Sequence, residues 1–198
     1  LTQGNGNTYT QTDAASGLTL TATAWSNANR AEKFQAATLS INPAFGMGVC
    51  SGSGCGFDSN LDNASAGSDM ILFSFSRAVT LQSLNVQQIG SDSDLSLWAG
   101  TGSSFSPLNM KPTKLGTASL FENTSSVAGV RNVDLTAYTG TYDWIAVAAR
   151  IGQIDDLATL KSLTVASVAQ PVPETASWMT LLAGLGLVGF RASRRTHT

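Results

Sequence analysis

Histidine occurs once in the 198 residues, at His197. That scarcity removes Ser-His-Asp and Cys-His catalysis, histidine-based zinc sites and the usual proton shuttle. The only cysteines, Cys50 and Cys55, are too few for a tetrathiolate zinc site. In a Gly/Ser-rich stretch they suit a single disulfide closing a short loop, which contributes roughly 2 kcal/mol by chain entropy. A redox-active pair is the alternative, but nothing nearby is basic enough to lower a thiol pKa.

The oxygen-bearing residues offer more. Asp58, Asn60, Asp62 and Asp69 fall at positions 1, 3, 5 and 12 of an EF-hand-like calcium loop. Asn63 stands where glycine is usual, and asparagine is the next best residue for left-handed backbone. Asp69 replaces the usual glutamate and is one methylene shorter. No helices flank the stretch, so calcium, the one candidate cofactor, would sit in a loop on a β scaffold; the alternative is an ordinary Asx-rich turn. Asp92, Asp94, Asp155 and Asp156 read as solvated turn residues. Glycoside hydrolysis needs two placed carboxylates, and Glu32 and Glu122, the glutamates ahead of residue 171, lie in no recognisable motif. Trp98 and Trp144 are sugar-binding candidates by type. Like Trp25, they lie opposite the aliphatic face of their strands, which suits an exposed platform or, as the preferred reading, a second core layer.

These residues must be positioned by strands. Leu18 to Trp25 alternates strictly between apolar residues and threonine, Ile71, Phe73 and Phe75 share one face, and Trp144 to Ile151 is the most apolar run. Phe34 to Ile41 reads as a strand, with a helix over residues 28–37 as the competing reading. Gly46 to Ser68 is expected to be the longest irregular stretch. Val79 to Ile89 switches its apolar register between Leu81 and Leu84, the signature of a bulge or bend. Further strands are expected at Leu95–Ala99, Leu115–Leu120, Val127–Leu135 and Leu160–Val168. Such a series of short strands with polar turns predicts an all-β domain, an antiparallel, jelly-roll-like β-sandwich over residues 1–170.

Composition agrees with an exported domain. Charged residues make up 12% of the chain, and Ser, Thr, Asn and Gly abound. Taking the three arginines and Glu174 of residues 171–198 from the chain's 11 basic and 13 acidic residues leaves 8 and 12, a net charge of −4. An acidic domain without a basic run argues against a nucleic-acid partner.

Residues 171–198 form the second expected unit. Pro171 and Pro173 stop any helix entering from upstream. Glu174, Thr175 and Ser177 then suit a helix start, and Ala176 to Phe190 is apolar. A helix over those 15 residues spans about 22 Å against a hydrocarbon core of ~30 Å. Trp178 and Arg191 can reach the two interfaces, and Arg191, Arg194 and Arg195 would hold the C-terminus on the cytoplasmic side. Gly184, Gly186 and Gly189 match the dinucleotide-binding fingerprint formally, but with no βαβ unit around them they better suit close helix packing.

This order resembles the PEP-CTERM sorting signal, the C-terminal tag of proteins handled by exosortases in Gram-negative bacteria. The matching residues are Val172, Pro173 and Glu174, the run Leu181 to Gly189, and Arg191, Arg194 and Arg195; Thr175 stands where the family usually has a second proline. The resemblance implies an exported protein, inserted in the inner membrane as a precursor and cut by an exosortase-type enzyme. It then reaches the cell surface or the exopolysaccharide matrix of a biofilm. A signal peptide is expected to precede Leu1. The rest of the chain, through Gly46–Cys50, Leu61–Asn63, Asp69–Phe75, Ser91–Asp94 and Asp143–Ala149, is similar to a family of exosortase-dependent surface proteins. That likeness brings no enzymatic activity with it. The expected role is structural or adhesive, with extracellular polysaccharide as a candidate partner. A carbohydrate-binding, calcium-stabilised module is the alternative, and a matrix glycosidase is the least favoured reading.

Overall fold

The computed structural model describes residues 6–27, 32–51, 60–63, 67–89, 92–123 and 127–168. The chain divides into two compact units, residues 1–168 and 169–198. The hydrophobic helix expected near residues 176–190, with Trp178 and the sorting residues, lies outside the described residues. The first unit is all-β, and its strand pairs are antiparallel.

One strand, β7 (Ser68–Gln88), runs through both layers of a sandwich-like domain. Its first half alternates as the sequence demands, Ile71, Phe73 and Phe75 entering the interlayer core while Met70 and Leu72 face the other way. This half pairs with β2 (Thr19–Asn27) on one side and β11 (Tyr142–Ala149) on the other. The layer continues from β11 to β8 (Leu95–Gly100) and β9 (Ser119–Phe121), and from β2 to β1 (Thr8–Thr12) and β3 (Gln35–Ala36). The second half of β7 pairs with β10 (Gly129–Asp134) and β12 (Leu157–Ser167). Beyond β12 lie β5 (Gly46–Cys50), β4 (Thr38–Asn42) and the two-residue β6 (Leu61–Asp62). Ala22 and Ala24 of one layer join Leu39, Ile41, Val49 and Leu160 of the other in a single core.

The change of layer is marked by broken register. Between Val79↔Tyr142 and Ser74↔Trp144 the β7–β11 ladder skips, and farther along Gln82 has no partner between Leu81↔Val165 and Ser83↔Thr164. The extra residue at Gln82 returns Leu84 to the face of Leu81, so both are buried. The switch of apolar register expected between Leu81 and Leu84 is this bulge.

Two expectations are corrected. Residues 46–68 are not one irregular loop: β5 and β6 fall within them, and Val49 and Leu61 are core residues. Glycine hid the strand. Gly46 holds φ at 109°, and a Cβ there would lie 2.5 Å from the Leu160 carbonyl oxygen, so β12 can approach only because glycine is present. Phe34 to Ile41 is likewise not one strand. The chain leaves β3, beside β2, and enters β4, beside β5, with the Ala37 N–H donating to the Ala24 carbonyl between them (3.0 Å). Residues 32–37 contain no helix.

Candidate functional site

Where β2 ends and β7 begins, a polar groove of about 500 Å³ opens. The register pairs Ser26 with Asp69 and Asn27 with Ser68, so the last residues of β2 and the first of β7 form one wall. Asp62 of β6, Ser51, Gly67 and the 32–37 segment, with Glu32, Lys33 and Gln35, supply the rest. Asn27 is 4% exposed; its Oδ1 accepts the Ser68 backbone N–H at 2.7 Å, while its Nδ2 has no hydrogen-bond partner. Asp69 is also 4% exposed. Burial first, and the neighbouring Asp62 carboxylate second, push its carboxyl up to about 8, against the opposing hydrogen bonds from the Ser26 hydroxyl and the Asp62 backbone.

Of the four expected calcium ligands, the fold thus brings Asp62 and Asp69 to one groove. Asn60 stands just before β6, its carbonyl accepting the Val49 N–H at 3.0 Å. Asp58 lies outside the described residues. Paired carboxylates can attract a cation, and Asp62 and Asp69 are the two that the groove brings together. Cys50 is disulfide-bonded, and Cys55, the chain's only other cysteine, lies outside the described residues.

The tryptophans do not form a sugar platform. Trp98 is 5% and Trp144 9% exposed, and with Trp25, Phe34, Met70 and Leu72 they build a second apolar cluster on the outer face of the β2–β7–β11–β8 layer. The chain between β8 and β9 folds back over that face. Phe105 stacks on Trp144 with ring centroids 3.8 Å apart, and Leu115 joins the cluster. Each indole N–H finds an acceptor: Trp25 on the Thr23 hydroxyl (2.8 Å), Trp98 on the Gly116 carbonyl (3.2 Å), Trp144 on the Thr101 carbonyl (3.3 Å). Exposed sugar-binding roles for Trp98 and Trp144 are therefore withdrawn.

A second polar cluster escaped the sequence reading. Asp94 and Asp156, expected as solvated turn residues, are buried. Asp94 meets the Arg150 guanidinium at 3.0 Å and accepts the Asn123 backbone N–H; Arg150 also reaches Glu122. Asp156 accepts the Asp94 N–H (2.8 Å) and the Asn63 amide, and its own N–H donates to Asn63 Oδ1 (3.0 Å). Arg131 caps the Ser93 hydroxyl (3.1 Å) and carbonyl. Burial is the first cause that raises Asp156, to about 6. Asp92, Asp155 and Asp156 bring carboxylate oxygens within 4.8 Å of one another, yet Asp156 already has its partners in the protein. These bonds cross-link β6, β8, β11 and β12 at one end of the sandwich. Removing the Arg150 guanidinium would leave the buried Asp94 carboxylate without its ion-pair partner, a loss of about 3–5 kcal/mol. The visible signal was the recurrence of acidic pairs at strand ends, but spacing alone could not separate a buried network from turns.

No protein-family model and no curated protein sequence matches this chain.

Proposed function

We propose that the chain is an exported structural or adhesive protein of the cell surface or extracellular matrix, sorted through its C-terminal segment by an exosortase-type enzyme. The observation that carries this reading is the order of features after β12. The last strand ends at Ser167, and proline break, apolar run and arginine end follow within 28 residues from Pro171 to Thr198. The inner membrane is a transient partner and extracellular polysaccharide the final surrounding. A jelly-roll-like connectivity, a membrane-inserted helix over residues 176–190 and a Cys50–Cys55 clip belong to the same reading. So does a structural rather than an enzymatic role, which the two apolar clusters and the buried charge network suit. Mass spectrometry of surface protein, with and without the processing enzyme, tests it. The mature chain is expected to end near Pro173–Glu174 when the enzyme is present; an intact C-terminus carrying Arg191, Arg194 and Arg195 on the surface protein would sink the reading.

The second reading, a ligand-binding module, is favoured by one observation, the polar groove of about 500 Å³ where β2 ends and β7 begins.

A further inference from the structure

The hairpin of β1 and β2 leaves one strand edge of the domain open. In an antiparallel ladder, hydrogen-bonded and non-hydrogen-bonded residue pairs alternate along the strands. The Asp13 N–H donates to the Leu18 carbonyl (2.9 Å), and the Ala24 N–H to the Asn7 carbonyl (3.0 Å). In the register from Thr8↔Thr23 to Thr12↔Thr19, those two bonds assign the inward-bonding positions to Asn7, Tyr9, Gln11 and Asp13. The N–H and C=O groups of Thr8, Thr10 and Thr12 therefore point away from β2. Among the described residues β2 is the one strand that pairs with β1, and Thr8, Thr10 and Thr12 are exposed. Natural sheets blunt such edges with charge, proline or brevity. Of the other described strands that pair with a single neighbour, β3, β6 and β9 are two or three residues long, β10 carries Arg131 and Asp134, and β4 is bridged at Leu39 by Gly6. The five residues of β1, Thr8-Tyr-Thr-Gln-Thr12, include neither charge nor proline.

We propose that β1 is a self-association edge, pairing antiparallel with β1 of a second copy about a two-fold axis at Thr10. With Thr10 opposite Thr10 and Thr8 opposite Thr12, each outward N–H of the three threonines meets an outward C=O, about six hydrogen bonds in all. Tyr9 then faces Gln11 of the second copy. The two Asp13 carboxylates fall at opposite ends of the pair, each across from Asn7, so these like charges do not meet. The outer face suits the same arrangement. Within one copy Thr8, Thr10 and Thr12 stand across from Thr23, Thr21 and Thr19, with the Thr12 and Thr19 hydroxyls 2.9 Å apart and those of Thr10 and Thr21 3.4 Å apart. Cross-strand threonine pairs stabilise a sheet, and the two-fold pairing continues that uncharged hydroxyl surface from one copy to the next. A pair of five-residue strands buries less than the roughly 1,200–2,000 Å² of a stable interface, so the association is weak, on the order of 0.1–1 mM. It needs neither the sorting segment nor the polar groove, so its failure leaves the proposed surface role standing.

The test is sedimentation velocity on the full chain in detergent over roughly 0.01–2 mM, a span that brackets the expected dissociation constant. The wild type is expected to sediment faster as its concentration rises. Thr10→Pro removes an outward N–H and sets a ring against the second copy while leaving the bonds to β2 intact. It should sediment as a monomer throughout, with unchanged near-UV circular dichroism. Thr10→Cys reads the register directly. Hydrogen-bonded pairs hold their Cα atoms about 5.5 Å apart, inside the disulfide range of roughly 4.4–6.8 Å, so mild oxidation should link two copies at residue 10. Thr8→Cys places its thiol opposite Thr12 of the second copy and should link at least fivefold more slowly. If Thr10→Pro does not fold, the two cysteine variants decide. A wild type that stays monomeric overturns the proposal. So does association that a folded Thr10→Pro leaves unchanged, or linking at equal rates from residues 8 and 10.

Discussion

Asp69 carries the largest conflict between burial and charge among the described carboxylates. Its folded carboxyl titrates at about 8, against 3.8 in the unfolded chain. Between those values the folded protein binds more protons than the unfolded one, so stability falls as pH rises through this window. Asp156, raised to about 6, acts in the same direction over a narrower range. The chain should therefore melt higher at pH 5.5 than at pH 8.5, measured in chelator to keep cations out of the groove. Each tenfold difference in proton affinity is worth about 1.4 kcal/mol. For a domain of this size each kcal/mol moves Tm by roughly 2–4 °C. Asp69→Asn keeps a neutral polar group opposite Ser26 and should flatten the slope above pH 6 while raising Tm at pH 8.5 by at least those few degrees. Parallel slopes in wild type and variant would show that Asp69 does not titrate in that range.

At the scale of elements, β2 and the first half of β7 were legible because their apolar residues keep a two-residue period, and β11 because its apolar run is continuous. Even the Gln82 bulge was visible, since an inserted residue must leave two same-face leucines three apart. Three features were not legible. The strand β5 carries glycine where a period needs side chains. The β3–β4 crossing changes layers at Ala37, where the apolar period slips by one residue between two adjacent alanines too small to mark the break. Asp94 and Asp156 have turn-like composition but buried partners, which only the fold supplies. The groove was half legible: the Asp62–Asp69 spacing singled out its carboxylates, while Asn27 joins them through the β2–β7 register alone. The layer under the tryptophans depends on a similar coincidence. Trp144 pairs with Gly100, and a Cβ at residue 100 would lie 2.3 Å from Trp144 Cζ2. Gly100→Ala must displace the indole from Phe105 and from its bond to the Thr101 carbonyl. A loss of about 1–3 kcal/mol is expected, with a changed near-UV tryptophan signal; a denaturation midpoint equal to wild type would mean that the outer layer adapts freely.

For the whole molecule, the charge distribution divides the chain at the same place as its contacts. The compact unit ends at Val168, the acidic domain carries a net charge of −4, and three of the 11 basic residues cluster between Arg191 and Arg195. On the proposed sorting route that asymmetry has a mechanical role. A helix over the 15 residues 176–190, about 22 Å, is shorter than a ~30 Å hydrocarbon core, so hydrophobicity alone would hold it weakly and the flanking residues would decide its fate. Arginine on the cytoplasmic side is the stronger flank, because basic residues near a span set its orientation while acidic ones contribute little. Replacing Arg191, Arg194 and Arg195 together by glutamate leaves the domain untouched and removes the stop. In a host carrying an exosortase-type enzyme, an epitope placed after Thr198 should change from protease-protected to protease-accessible in spheroplasts. The protein should then pass into the periplasm or medium with its tail uncut. Processing and surface display at the wild-type level in this variant would show that the arginines do not hold the precursor, and the sorting reading would lose its third element.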